Sequence, residues 1–533
     1  MTGKKWMHDG FHLVIATAAF SLSVFRLDSS IWIAAWIAPV FLIHFVRTSR
    51  WVPAVVLGYV VLQLSLALGS WPLAEMMRER MATTLLRMDA RFVLKWQAMS
   101  GFLFAAPLFL APFLLDKALH RRLPKLAATL VYPAGVVAVE LLSALTTGLA
   151  RTYGETQFAL PPLIATSSLL GVSGLSFLLA WTASMANRLW EKDWNIKAIG
   201  GSGLVYLGIA AAMLIFGAAT TAFPERAKGD VRIAGITAEF SLFDRLYGID
   251  ADVSALLALG PAECAKLMSS PQAHLDQMRQ KTVDAAQAGA TIIVWQEAPL
   301  AMESSVADAY LEEMRALADE RDIYLLVSYE RILNVAEKRD RMLRNMGVLF
   351  TPTGEVGWEY TKAFPVPGLE EQFSVAGPRS IPYLDTPYGR IGQIICADAT
   401  MPHYIRQAAT KRIDILLNPS LDTVAHTPRF SLSSAIRAVE NGFTMVRVTG
   451  DGHSTVVDPY FRQVAGQDSF QQGTPILYVD VPVVSHQTVY ARIGFLFPYA
   501  MALLLVALIA VAVAPTTRPR SSSRRSTLST GPS

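Results

Sequence analysis

The amino-acid sequence predicts a two-part architecture: a bundle of membrane-spanning helices joined to a layered α/β domain outside the membrane. Three observations carry this. Only 17% of the 533 residues are charged and 52% are hydrophobic, with a mean hydropathy of +0.34, whereas a soluble chain carries about a quarter charged residues. The apolar excess is confined to residues 11–222 and to a last run at 493–514. Between 225 and 490, short β-rich runs alternate with helical stretches of ordinary polarity, the pattern of a layered α/β domain. The first part excludes a wholly soluble protein; the second excludes a simple channel.

A bilayer core of about 30 Å needs roughly 20 apolar residues per span. Such runs occur at 11–27, 31–46, 51–73, 97–115, 126–149, 163–186, 203–222 and 493–514. The first is expected to remain a span and not a signal peptide, because no A-x-A-like site precedes a polar start. Basic clusters at Lys4–Lys5, Arg47/Arg50, residues 116–125, residues 188–197 and the tail fall mostly on one side, which is then cytoplasmic. Seven spans before Pro224 put residues 225–490 on the extracytoplasmic face. The expected domains are therefore 1–224 in the membrane, 225–490 outside, 491–514 as the last span, and 515–533 as a disordered cytoplasmic tail. Residues 75–96 repeat apolar side chains at helical spacing, as an interfacial amphipathic helix does. Glu140 stands out within a span, where a carboxylate is costly; the expectation is that it sits near enough to the interface to be solvated.

Charge and cysteine usage exclude other classes. A formal net charge of +4 is too small to argue for nucleic acid. Two cysteines, Cys264 and Cys396, allow no disulfide framework and no cysteine-based zinc site. His403, His426 and His453 are scattered without metal-ligand spacing, so neither a metal nor a cofactor is expected.

In the α/β part, strands are expected at 231–237, 291–295, 324–329, 347–351, 356–360, 391–395, 413–417, 444–449 and 455–457. Helices are expected at 272–288, 310–318, near 403–409, and at 428–439. Three side chains follow strand ends, where sites gather in such folds: Glu297, Lys362 and Cys396. A carboxylate can take a thiol proton and return it, and an ammonium favours a thiolate and an oxyanion. A cysteine after a β-run is more often a small buried hydrophobe, and spacing alone does not bring the three together. Cys264, with only Glu263 beside it, reads as structural.

These residues in this order resemble the Glu–Lys–Cys triad of the nitrilase, or carbon–nitrogen hydrolase, superfamily. Residues 390–420 (RIGQIICADATMPHYIRQAATKRIDILLNPS) are similar to its nucleophile region, and 435–464 to the helix–strand unit after it. In the membrane part, 132–142 (YPAGVVAVELL), 170–181 (LGVSGLSFLLAW) and 488–494 (TVYARIG) resemble segments of the apolipoprotein N-acyltransferase family. The resemblance implies an α-β-β-α sandwich above about eight spans in the bacterial inner membrane. It implies Glu297 as general base, Lys362 as stabiliser of thiolate and oxyanion, and Cys396 as nucleophile. Glu370 would support them, with Glu371 its competitor, and the Ala397 N–H would complete the oxyanion hole. The implied substrates are a phospholipid acyl donor and the diacylglyceryl-cysteine of an apolipoprotein, with the chain acting as a monomer. The sequence departs from the family at Ala397–Asp398, where Tyr-Glu is usual, at residues 418–422, and at residues 237–239. An amidase or nitrilase with water as acceptor is the alternative, and a transporter or sensor with an inactive cap is the third reading.

Overall fold

The computed structural model describes residues 2–26, 30–83, 106–146, 152–198, 200–238, 269–333, 343–367, 370–422, 427–469, 475–484 and 486–514. Cys264, His426, Glu239, the tail 515–533 and most of the expected amphipathic segment lie outside the described residues.

The first part is helical. Its helices are α1 (Thr2–Ser21), α2 (Trp32–Thr48), α3 (Trp51–Thr83), α4 (Ala106–Leu119), α5 (Lys125–Thr146), the short α6 (Pro161–Ala165) and α7 (Ser167–Leu170), α8 (Val172–Trp190) and α9 (Gly200–Ala222). Among the described residues, Trp51–Trp71, Lys125–Thr146, Gly200–Ala222 and Leu496–Val513 are long and apolar enough to cross a membrane. Helices α2 and α4, with 17 and 14 residues, are shorter. Phe20, Phe25, Leu42, Phe45, Phe113 and Tyr132 close the bundle core. At one end, Arg47 is held bidentately by Asp116 (Nε–Oδ2 2.6 Å, Nη2–Oδ1 2.9 Å) and reaches Glu191 at 3.2 Å.

One expected span is corrected. The run 163–186 is not a single helix: Pro161–Leu170 and Val172–Trp190 meet at 114°. The break is Gly171, at φ 72° and ψ 175°, a conformation glycine reaches without strain. A Cβ there would lie 2.6 Å from the Tyr490 ring. Glu140 also departs from expectation. It is 3% exposed, and its Oε1 accepts from Tyr153 N at 2.9 Å; it is buried against the turn after α5 and not solvated.

The second part is a sandwich of two sheets. Strands β1 (Asp230–Ile236), β2 (Ile292–Trp295), β3 (Ala301–Glu303), β4 (Tyr324–Ile332), β5 (Leu343–Phe350), β6 (Val356–Thr361) and β13 (Leu477–Pro482) form one, ordered β13-β1-β2-β4-β5-β6, with β3 on β4. Strands β7 (Tyr383–Thr386), β8 (Gly389–Gln393), β9 (Ile415–Leu421), β10 (Thr444–Gly450), β11 (His453–Val457) and β12 (Gln463–Asp468) form the other, ordered β12-β11-β10-β9-β8-β7. The strand period of two assigns each side chain to a layer. Val231, Ile233, Ile292 and Val294 point between the sheets. Ala234, Ile236, Ile293 and Trp295 point outward, onto α10 (Gln272–Gln287) and α11 (Ser304–Arg321) through Leu275, Met278, Tyr310 and Met314.

Helices α12 (Pro402–Thr410) and α13 (Thr427–Asn441) cover the second sheet, completing an α-β-β-α order. Helix α13 also faces the helical part. Ile436 and Val439 pack with Leu163, Ile164, Val172 and Leu175. Glu440 Oε1 accepts from Val172 N at 2.8 Å, so it satisfies the free amide that the break at Gly171 leaves at the start of α8. Arg437 lies 2.7 Å from Glu440 Oε2 and 3.5 Å from Glu155 Oε1. The chain then closes with α14 (Val489–Ile493) and α15 (Leu496–Val513); Arg406 of α12 donates to the carbonyls of Ala491 and Arg492.

Candidate active site

Glu297 stands two residues beyond β2, Lys362 directly after β6, and Cys396 three residues beyond β8. The parallel neighbours β1 and β2 end together at Ile236 and Trp295, and β9 and β10 end together at Leu421 and Gly450 in the facing sheet, beside the end of the shorter β8. Three side chains far apart in sequence are thereby delivered to one end of the sandwich. Glu297 N donates to Ser420 O at 3.2 Å, which joins the two sheets there.

The charges form a tight chain. Lys362 Nζ donates to Glu297 Oε1 at 2.7 Å and lies 2.8 Å from Glu370 Oε2. Lys362 and Glu297 are each 1% exposed. Glu370 Oε2 also accepts from Val366 N at 3.0 Å. Glu371 is exposed, so the carboxylate beside the lysine is Glu370. Burial alone would lower Lys362, but the Glu297 and Glu370 carboxylates outweigh it and hold the ammonium well above its usual range. Burial pushes Glu297 up while Lys362 pulls it down.

Cys396 opens the 3-10 turn Cys396–Thr400 at φ 44°, a left-handed conformation that L residues seldom hold outside functional turns. Part of its surface stays open. Its Sγ approaches Leu421 O at 3.9 Å, and hydrogen bonding from the thiol favours the Glu297 charge. Burial and the Glu297 charge push the thiol up, against Lys362 and Arg447. Burial thus favours the thiol form of the sulfur, with the Glu297 carboxyl group within its reach. Ala397 follows within the same turn, where the first N–H groups have no partner inside the turn.

The structure adds residues that sequence reasoning missed. Asn345 Nδ2 donates to Glu297 Oε1 at 2.7 Å, fixing the oxygen that also meets Lys362. Glu330 pairs with Asn345 across β4 and β5; burial, then the Glu370 and Glu297 charges, hold it well above the carboxylate range. Neither residue follows a strand end, so nothing in the local pattern marked it.

Asp398, met in the sequence only as a departure, braces the turn that carries Cys396. Its Oδ2 accepts from Ile395 N at 2.9 Å and Tyr360 Oη at 2.5 Å, and its Oδ1 from Phe364 N at 2.9 Å. It thus ties the Cys396 turn to the segment carrying Lys362. Burial pushes it up to about 6, against those hydrogen bonds. A folded pKa above the unfolded one gives stability that is complete below the ordinary aspartate value and lost as pH rises through about 6. Wild type compared with Asp398→Asn should therefore lose relative stability between about pH 4 and pH 6.5, by up to about 3 kcal/mol. Thermal melts of the two proteins across that range check this; a constant difference would contradict it.

The geometry defines a class: a thiol, a carboxylate and an ammonium gathered at one end of an α-β-β-α sandwich. Residues 258–490 match the carbon-nitrogen hydrolase family, so the chain carries a carbon–nitrogen hydrolase domain. Over part of its length the chain is similar to apolipoprotein N-acyltransferases. The enzyme of that name from Pseudomonas aeruginosa is 29% identical over 271 residues, covering 46% of this chain and 51% of that protein. That from Pseudomonas putida is 28% identical over 223 residues, covering 38% and 43%. A hydrolase of Schizosaccharomyces pombe is 25% identical over 239 residues, covering 39% and 71%. The chain thus spans about half the length of the acyltransferases it matches. Among solved structures, an amidase from Nesterenkonia sp. aligns over 48% of this chain and 91% of its own, with 21% identity and a TM-score of 0.36.

Proposed function

We propose that the chain is a membrane-bound N-acyltransferase that moves an acyl chain from a phospholipid, through a thioester on Cys396, to the amino terminus of a diacylglyceryl-cysteine on an apolipoprotein. In the first half-reaction Glu297 takes the thiol proton as sulfur attacks the ester carbonyl. The Lys362 ammonium and the Ala397 N–H stabilise the oxyanion. Collapse breaks the ester C–O bond, and Glu297 returns the proton to the departing lysophospholipid. In the second, the amine attacks the thioester, Glu297 takes its proton, and the thiolate leaves and is reprotonated. Asn345 and Glu370 hold Glu297 and Lys362 in place throughout.

The observation that carries this reading is the seating of α13 on the broken helix. Helix α8 begins at Val172, bonded to Glu440, and leads to Glu191, bonded to Arg47. Its 19 residues span about 28 Å, close to the thickness of a hydrocarbon core. The basic end with Arg47 and Lys117 is thus a bilayer's width from the hydrolase domain. By the positive-inside rule that end is cytoplasmic and the domain extracytoplasmic. A soluble hydrolase gains nothing from such a base, whereas an enzyme with two lipid substrates does.

Two measurements test the proposal. A reporter active only in the cytoplasm should be silent when fused after Ala227; a signal there would overturn the placement. The purified protein, given phospholipid and a diacylglyceryl-cysteinyl peptide, should raise the peptide mass by one acyl group. Free carboxylate with an unmodified peptide would instead establish the hydrolase alternative.

A further inference from the structure

We infer that Arg447 is a positioning residue for the nucleophile and that Asp422 is its partner, the two forming a second charge pair beside Cys396, separate from the Lys362–Glu297 pair. The inference rests on Cys396 being the nucleophile. Arg447 lies within β10, is 1% exposed, and donates through Nη2 to Asp422 Oδ1 at 2.7 Å. Asp422 directly follows β9, and its N–H donates to Gly450 O at 3.0 Å, which fastens the ends of β9 and β10 together. The residue before it, Leu421, supplies the carbonyl that lies 3.9 Å from the Cys396 sulfur. Bracing Asp422 therefore braces the acceptor that orients the thiol.

The pair is not explained by stability. Burying two charges incurs a desolvation penalty that their attraction often fails to recover. Moreover, Arg447 Nε and Asp422 Oδ2 are buried without a hydrogen-bond partner among the described residues. What the pair supplies is a fixed field. The charged groups around the sulfur are Glu297 after β2, Lys362 after β6, Asp422 after β9, Arg447 on β10 and Asp398 in its own turn, with Glu370 and Glu330 behind Lys362. Arg447 is thus a second cation favouring the thiolate whenever it forms, and Asp422 opposes it. The Lys362–Glu297 chain holds the base and the ammonium; this pair holds the sulfur.

The test is the rate at which iodoacetamide alkylates Cys396 in the full chain, followed by mass spectrometry of the Cys396 peptide between pH 7 and 9. Below the thiol midpoint the rate follows the thiolate fraction, which triples when that midpoint falls by about 0.5 pH. Asp422→Asn keeps an oxygen for Arg447 and removes a negative charge, so alkylation should accelerate about three-fold. Arg447→Met should slow it by at least as much, and Arg447→Met with Asp422→Asn should return toward wild type. If Arg447→Met fails to fold, Asp422→Asn carries the test alone. Unchanged rates, or slowing in Asp422→Asn, would overturn the inference. Lys362→Met separates the two levels: it should slow alkylation, and a rate indifferent to Lys362 would instead remove Cys396 from its role as nucleophile.

Discussion

Lys362→Met should lower turnover by about 10²–10³-fold, equivalent to roughly 3–4 kcal/mol of transition-state stabilisation. The ammonium is the only cation within hydrogen-bonding distance of Glu297 and Glu370 among the described residues. Its removal leaves Glu297, Glu370 and Glu330 buried together with no positive charge between them. These carboxyls will then take up protons, and a protonated Glu297 can no longer accept the thiol proton. Lys362→Arg should fail as well, because a planar guanidinium cannot occupy the compact position of Nζ between two carboxylates. Acyl transfer by the purified variants, with melting curves to show that they fold, checks this. Near-normal turnover in Lys362→Met would remove the role assigned to the lysine.

Glu440→Ala should have the largest effect on stability. Its carboxylate accepts from Val172 N and neutralises Arg437, both deep in the contact between α13 and the helical part. Breaking a buried pair by removing one partner typically costs about 3–5 kcal/mol, since the other charge remains buried. Glu440→Gln should lose less, because the amide oxygen still accepts from Val172 N. A melting temperature that falls steeply for Ala and moderately for Gln is the expected pattern. Equal melting of all three proteins would show that the break at Gly171 does not depend on α13.

The broad plan was legible because hydropathy reports composition, and runs of about 20 apolar residues read the same in any context. The break at Gly171 was not legible. Its cause is a backbone angle, a neighbouring Tyr490 and the carboxylate of Glu440, far along the chain, none of which alters the hydropathy of 163–186. Strands β2, β4, β8, β9 and β10 were readable as short apolar runs. Strands β7 and β12 were missed because, as edge or outer strands, they are half-exposed and polar. Strand β13 was missed because its partner β1 is far away in sequence.

The site divides along the same line. Glu297, Lys362 and Cys396 each follow a β-run, so their positions were readable, and the structure brings Glu297 and Lys362 to 2.7 Å. Asn345, Asp398, Asp422 and Arg447 each depend on partners from segments distant in sequence. Asp398 in particular stood out only as a departure from the family pattern beside Cys396, yet three donors converge on it.

If Cys396 carries an acyl chain between two lipid substrates, the mass of the protein after exposure to phospholipid without an amine acceptor reveals it. A covalent mechanism with two half-reactions stops there. The expected result is a gain of one acyl group located on Cys396, removed by hydroxylamine and absent in Cys396→Ala, with a single burst of lysophospholipid. Continuous release of free carboxylate with no adduct on Cys396 would contradict it.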